Sequence, residues 1–288
     1  MSAVLDDIRV TGPAHIYVAG VPESVWTVAM RDVVTGVRNY RLWMFLGWQD
    51  IRQRYRRSVL GPFWLTLSTG IMVAMMGVLY GRLFKMPLGI YLPFLASGTI
   101  IWGLISALLT EGCQSFMAAD SLIKQVRMPL SLHVCRMIWR NLIVFFHNAV
   151  ILVPVWLLFH KAISLAGLAA MAAALAAIAI NALWAGILLG ALCARFRDIG
   201  PLVGNLIQIV YFVTPIMWLP SVLEGKGIAW WLVIVNPFYH FIEIVRAPLL
   251  GDRVPTNSWI VVGGITVLGL AAGIYMLGRF RNRIPYWL

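Results

Sequence analysis

The chain has 288 residues, 61% of them hydrophobic and only 12% charged, with a formal net charge of +12 and a mean hydropathy of +0.84. Soluble domains carry about twice that share of charge, so an ordinary soluble enzyme is excluded: too little polar surface exists to cover so much apolar side chain. Continuous apolar runs, in place of strict alternation, also exclude a membrane barrel and leave an all-α polytopic membrane protein.

Taken from the N-terminus, residues 1–30 hold Gly12, Pro13, Gly20 and Pro22 and no clear periodicity. The segment before the first apolar run is too long and too polar for a signal peptide, so residues 1–39 are expected to form a retained cytoplasmic extension. Residues 40–62 differ in kind: Tyr40, Leu42, Trp43, Phe45, Leu46 and Ile51 mix with Arg41, Gln49, Asp50, Arg52, Arg54, Arg56 and Arg57. An aromatic segment that turns basic directly before a span predicts an amphipathic helix lying on the inner leaflet.

Residues 63–288 then read as a six-span transmembrane domain. Runs at 63–84, 92–112, 139–159, 165–194, 201–219 and 258–278 each approach the roughly 20 residues a bilayer core requires. Between the second and third spans lies a loop, 113–138, where Ser121 to Arg127 form a short helical pattern that Met128-Pro129 must end. Gly186 and Gly190 stand at GxxxG spacing, which implies close helix packing, first of all within the chain. Residues 220–257 form a re-entrant outer segment, because 228–245 is interrupted at Asn236-Pro237 and each half is too short to cross. With six spans, 17 of the 23 basic residues fall on one side, which places the N- and C-termini in the cytoplasm. That bias also accounts for the net charge without nucleic acid, since no basic groove interleaved with aromatics lies outside the apolar runs.

The chemistry is notable for what is missing. No GxxxxGK[ST] loop is present, so the chain cannot cradle ATP by that route, and neither HExxH nor GxSxG occurs. His240 and Glu243 stand at HxxE spacing, but two ligands without a third make no metal site. Cys113, Cys135 and Cys193 read as free thiols. Glu111 is the sole acidic residue inside a proposed span, too few for an ion-driven pump. Arg140, Val144 and His147, with Asn141, Phe145 and Asn148 beside them, share one face of the third span; Asn205, Gln208 and Phe212 share one on the fifth. Such groups serve either as interhelical hydrogen bonds or as the lining of a polar path. The chain is a transmembrane body without an engine of its own, which points to an engine supplied by a partner.

Four segments carry a resemblance: RYRRSVLGPFW at 54–64, SLIKQVRMPL at 121–130, RFRDIGPL at 195–202 and NPFYHFIEIVRAPLLG at 236–251. In this order and spacing the chain resembles the permease subunits of type-2 ABC exporters, and among them those that export bacterial O-antigen and other surface polysaccharides. The resemblance runs from about residue 40 to the C-terminus. It implies a multi-pass protein of the bacterial cytoplasmic (inner) membrane, working as a homodimer with a separate nucleotide-binding subunit. It also implies a lipid-linked polysaccharide as cargo. ATP and Mg would be bound by that partner subunit, with no cofactor, metal or catalytic residue in this chain. Exporters of teichoic acid, capsule or drugs, or a polytopic enzyme acting on lipid-linked sugars, are the alternatives.

On that reading the residues divide into three groups. Lys124, Arg127 and Pro129 would hold the 121–127 helix against the nucleotide-binding partner. Arg52, Arg54, Arg56 and Arg57 crowd the point where the first span enters the inner leaflet, at the depth of a lipid diphosphate, whose oxygens match arginine forks. Trp102, Phe145 and Phe212, with His147, Asn148 and Gln208, would line a glycan path, because aromatic faces stack on sugar C–H groups without fixing them.

Overall fold

A computed structural model describes residues 24–56, 61, 63–159, 164–223, 225 and 227–288, and every regular element among them is helical. The first helix, α1 (Val25–Arg38), opens where the Ser24 hydroxyl accepts the Thr27 amide at 3.1 Å. It packs against two later helices, in a stretch where no element was expected. α2 (Tyr40–Arg54) is the front part of the expected interfacial helix; Arg57 and the rest of 57–60, with Pro62, lie outside the described residues.

α3 (Phe63–Leu83) and α4 (Leu88–Gln114) follow, then a 3-10 turn and the short α5 (Asp120–Gln125). Residues 126–129 run extended into α6 (Leu130–Ala149), so the connection is shorter than the expected 113–138. The expected start of this span at 139 left out His133 and Arg136; Arg136 fits in the helix because Asp50 of α2 receives it. α7 (Leu152–Phe159) continues the same span after a break at Val150 and Ile151, where Pro154 has no N–H to offer the carbonyl four residues back.

After α8 (Leu165–Arg195) comes α9 (Ile199–Val213), the expected fifth span, and here the structure differs. Its 15 residues reach about 22 Å, short of the roughly 30 Å core. Thr214 turns extended because Pro215 follows it. α10 (Ile228–Val235) and α11 (Pro237–Leu250) break at Asn236, as Asn-Pro implied; its side-chain oxygen accepts the Phe238 amide at 3.0 Å and its amide donates to Thr214 Oγ1 at 2.8 Å. α12 (Thr256–Phe280) and α13 (Ile284–Trp287) close the chain.

Among the described residues, five stretches are long and apolar enough to cross a membrane: α3, α4, α6 with α7, α8 and α12, with α9 a shorter apolar helix. The chain is therefore a helical polytopic membrane protein. α4 is its axis, with 67% of its apolar window buried against 17% for α3, and α8 packs against α4, α6, α11 and α12. The GxxxG pair acts inside this core. A Cβ on Gly112 would stand 3.4 Å from the Gly186 backbone, one on Gly186 would stand 2.6 Å from Val134, and one on Gly190 would meet Ser115 Oγ at 2.4 Å. α8 and α4 thus approach as close as two backbones permit.

The two ends of this bundle differ. One, where α4 stops and α6 begins, gathers the arginines of α1, α2, α6 and α12. At the other, the backbone between α9 and α10 is tied down. Arg246 on α11 is 1% exposed and donates to the Pro215 carbonyl at 2.7 Å and to Glu243 at 2.6 and 3.2 Å. Its guanidinium lies 4.0 Å over the Phe94 ring, while Tyr91 Oη donates to the Met217 carbonyl at 2.6 Å.

Candidate functional site

The basic end is organised by charge. α2 runs along α6, close enough that a Cβ on Gly47 would come within 3.1 Å of the Arg136 carbonyl. This contact brings Asp50 of α2 to two arginines one helical turn apart on α6. Arg136 donates to Asp50 through Nε at 2.8 Å and through Nη2, and Arg140 Nη1 donates to it at 3.0 Å. Arg140 also grips Glu111 of α4 at 2.6 and 3.2 Å, Asn141 Nδ2 donates to Glu111 at 2.7 Å, and Arg54 of α2 reaches it at 3.2 Å. Three guanidinium groups thus share two carboxylates, leaving one net positive charge at a junction of three helices.

Beside this network lies a cavity of about 280 Å³ lined by Arg54, Glu111, Gln114, Ser115, His133, Arg136 and Arg140, among others. His133 is 2% exposed, and neither ring nitrogen makes a hydrogen bond among the described residues. A buried polar ring without partners costs free energy, so the cavity is the place for a polar group to complete it. Sequence reading noted Glu111 as an isolated carboxylate and Arg140 and Asn141 as part of a polar stripe. It did not connect them, because the partners lie 29 to 90 residues apart along the chain. The available signal was two arginines at i, i+4 on an apolar helix, which demand acidic neighbours.

A second carboxylate sits where α6 starts. Asp32 of α1, 4% exposed, accepts the Leu130 amide at 3.2 Å, the Ser131 amide at 3.1 Å and the Ser131 hydroxyl at 2.8 Å. It is a helix cap supplied from another helix, matched to the positive N-terminal end of α6. Arg281, just beyond α12, stands 3.7 Å from the same carboxylate.

The residues singled out from sequence fall around this frame. Lys124 and Arg127 are exposed on and after α5, with Lys124 paired to Asp120 at 2.8 Å along its own helix. Pro129 is the last residue before α6. Arg52 and Arg56, with Gln49 and Gln53, line an open groove of about 280 Å³, whereas Arg54 turns to Glu111.

The six path residues are not brought together within one chain. Trp102 and Phe145 are 7% and 6% exposed in the core, Trp102 against Tyr211 and Phe238. His147 and Asn148 face α3, the first against the Phe63 ring at 5.9 Å and the second accepting Thr66 Oγ1 at 3.2 Å. Gln208 and Phe212, with Asn205, lie exposed on α9, Phe212 at 65%. His240 and Glu243 serve different partners: His240 bonds Ser258 and the Ile234 carbonyl, and Glu243 bonds Arg246.

A chain of crossing helices, with a short surface helix between the second and third spans and its charge gathered at that end, has the outline of a permease. Comparison with known proteins agrees. Residues 41–250 match the family described as ABC-2 type transporter. A relative, the O-antigen export system permease protein RfbA of Klebsiella pneumoniae, is 22% identical over 231 residues, covering 77% of this chain and 87% of its own length. The match takes in α2 to α11, the charged network and the α5 loop, and the chain belongs to the ABC-2 type transporter family of membrane permeases.

Proposed function

We propose that this chain is the transmembrane subunit of an ATP-driven exporter that moves a lipid-linked, O-antigen-like polysaccharide across the bacterial cytoplasmic membrane. The observation that carries the cargo is the relative named for O-antigen export, which covers most of both chains. In this reading the basic end faces the cytoplasm, two copies of the chain assemble, and a separate nucleotide-binding subunit binds ATP and Mg. Supporting the docking point, Lys124 on α5 and Arg127 just after it are exposed, where a partner's acidic groups would meet them.

The head group would be met by Arg52, Arg54, Arg56 and Arg57, of which Arg54 borders the cavity holding His133. Gln208 and Phe212 are exposed on α9, where a translocating glycan or the second copy would find them; Trp102, packed on Tyr211 of α9, would act from behind that surface, and Phe145, His147 and Asn148 from α6. The test is reconstitution of this chain with its nucleotide-binding subunit in proteoliposomes carrying lipid-linked polymer on one side. ATP-dependent appearance of polymer on the other side is expected. A complex that hydrolyses ATP but moves only teichoic acid or a drug would overturn the cargo. Hydrolysis by this chain alone would overturn the division of labour.

A further inference from the structure

α1 precedes the family match, which begins at residue 41, and its surface is divided in three. At about 100° per residue, Val25, Ala29, Asp32 and Gly36 share the side packed on α6 and α12. Thr27, Arg31, Thr35 and Arg38 occupy a polar arc of about 80°. Between these lie Trp26, Met30, Val34 and Val37, in another arc of about 80°, and they are 50%, 48%, 39% and 45% exposed. A helix with one protein side and one polar side has no structural need for a third side of large apolar residues facing outward.

We propose that this stripe is embedded in the lipid leaflet at the basic end, making α1 a second interfacial helix that prefers anionic lipid. Three observations commit the stripe to lipid. First, it is continuous with a membrane-facing surface: the Trp26 ring lies 6.1 Å from that of Tyr275, itself 51% exposed on α12. Tyr275 stands five residues inside the α12 end at Phe280, about 7.5 Å along the axis, which is the depth at which Trp and Tyr collect. Second, α1 is fixed at that depth. A Cβ on Gly278 would fall 2.2 Å from the Val25 carbonyl oxygen, so backbone rests on backbone. Third, the charge matches. Arg38 and Arg41 are exposed, while the acidic residues of α1 and α2, Asp32 and Asp50, face inward on hydrogen bonds. The outward surface is apolar below and cationic above, as an anionic leaflet requires.

The test places single cysteines at Met30 and Val34, and for comparison at Thr27 and Thr35, in the full chain. Each carries a nitroxide and is reconstituted in nanodiscs of phosphatidylcholine and phosphatidylglycerol. The native cysteines are buried, and the unsubstituted chain gives the labelling blank. Collision with oxygen should exceed collision with a nickel chelate at 30 and 34, and the order should reverse at 27 and 35. Chelate access at all four overturns the proposal. So does spin–spin broadening at 30 and 34 that disappears on dilution with unlabelled chain, which would assign the stripe to a second copy. Shielding that is lost on deleting residues 2–23 would assign it to the chain's own N-terminal segment and equally overturn it. Hydrogen exchange on the unaltered chain needs no substitution. Amides of 25–38 should exchange several-fold more slowly with phosphatidylglycerol than with phosphatidylcholine alone, and equal rates would overturn the anionic preference.

Discussion

Asp50 and Glu111 each hold more than one cation, and that multiplicity sets what their loss should do. Asp50→Asn leaves Arg136 and Arg140, both mostly buried, with a neutral acceptor in place of a charge. A loss of about 2 kcal/mol is expected, read as a lower thermal midpoint of the purified chain in detergent. Arg54→Ala, at the half-exposed edge of the same network, should change it by less than about 1 kcal/mol; equal losses would mean that the network behaves as surface throughout. Arg246 is the more demanding case. Arg246→Met would leave Glu243 and the Pro215 carbonyl without their donor and should cost about 3–5 kcal/mol, while Arg246→Lys keeps the charge but not the fork, and should fall between. Sequence reading saw the arginine as part of a motif and Glu243 as half of a weak metal pair. Nothing local to either residue reveals that Phe94 of α4 and Pro215 of the α9–α10 connection complete the site.

Among the elements, those set by long apolar runs were legible and those set by tertiary partners were not. α3, α4, α8 and α12 follow their hydropathy, and the α10–α11 break follows from Asn236-Pro237. α9 is shorter than the apolar run 201–219 because Pro215 ends the helix from within. α6 starts nine residues before the expected 139 because Ser131 and Arg136 look like loop until Asp32 and Asp50 are brought to them. α1 was missed because its apolar residues cover two sides of a helix, and one-sided periodicity cannot show that. Close packing against α8, though not its partners, was legible from GxxxG and carries its own test. Gly186→Val would press on Val134 and Met137 of α6 and should destabilise by about 1–3 kcal/mol, measured by thermal unfolding. The same change at Gly204, which has open space, should do little.

For the whole molecule, family and membrane class were readable from composition and four motifs, whereas the placement of the six candidate path residues was not, since they are divided among the core, the face of α6 toward α3 and the exposed side of α9. The docking role of α5 is tested at this scale. Lys124→Glu with Arg127→Glu should leave insertion and folding unchanged, because both side chains are exposed, yet lower export per ATP hydrolysed several-fold in the assembled transporter. Normal export would remove α5 from that role. The cap from Asp32 has a further consequence. Its bonds to Leu130 and Ser131 exist only while α1 is docked, so docking of α1 and the start of α6 are linked equilibria, and linkage is reciprocal. Whatever free energy a surrounding lipid contributes to seating α1 is also felt at Leu130, one residue past the loop on which a motor would pull. A force that unwinds the first turn of α6 must work against the membrane as well as against the protein, so the bilayer's composition becomes part of the stiffness of the transmission.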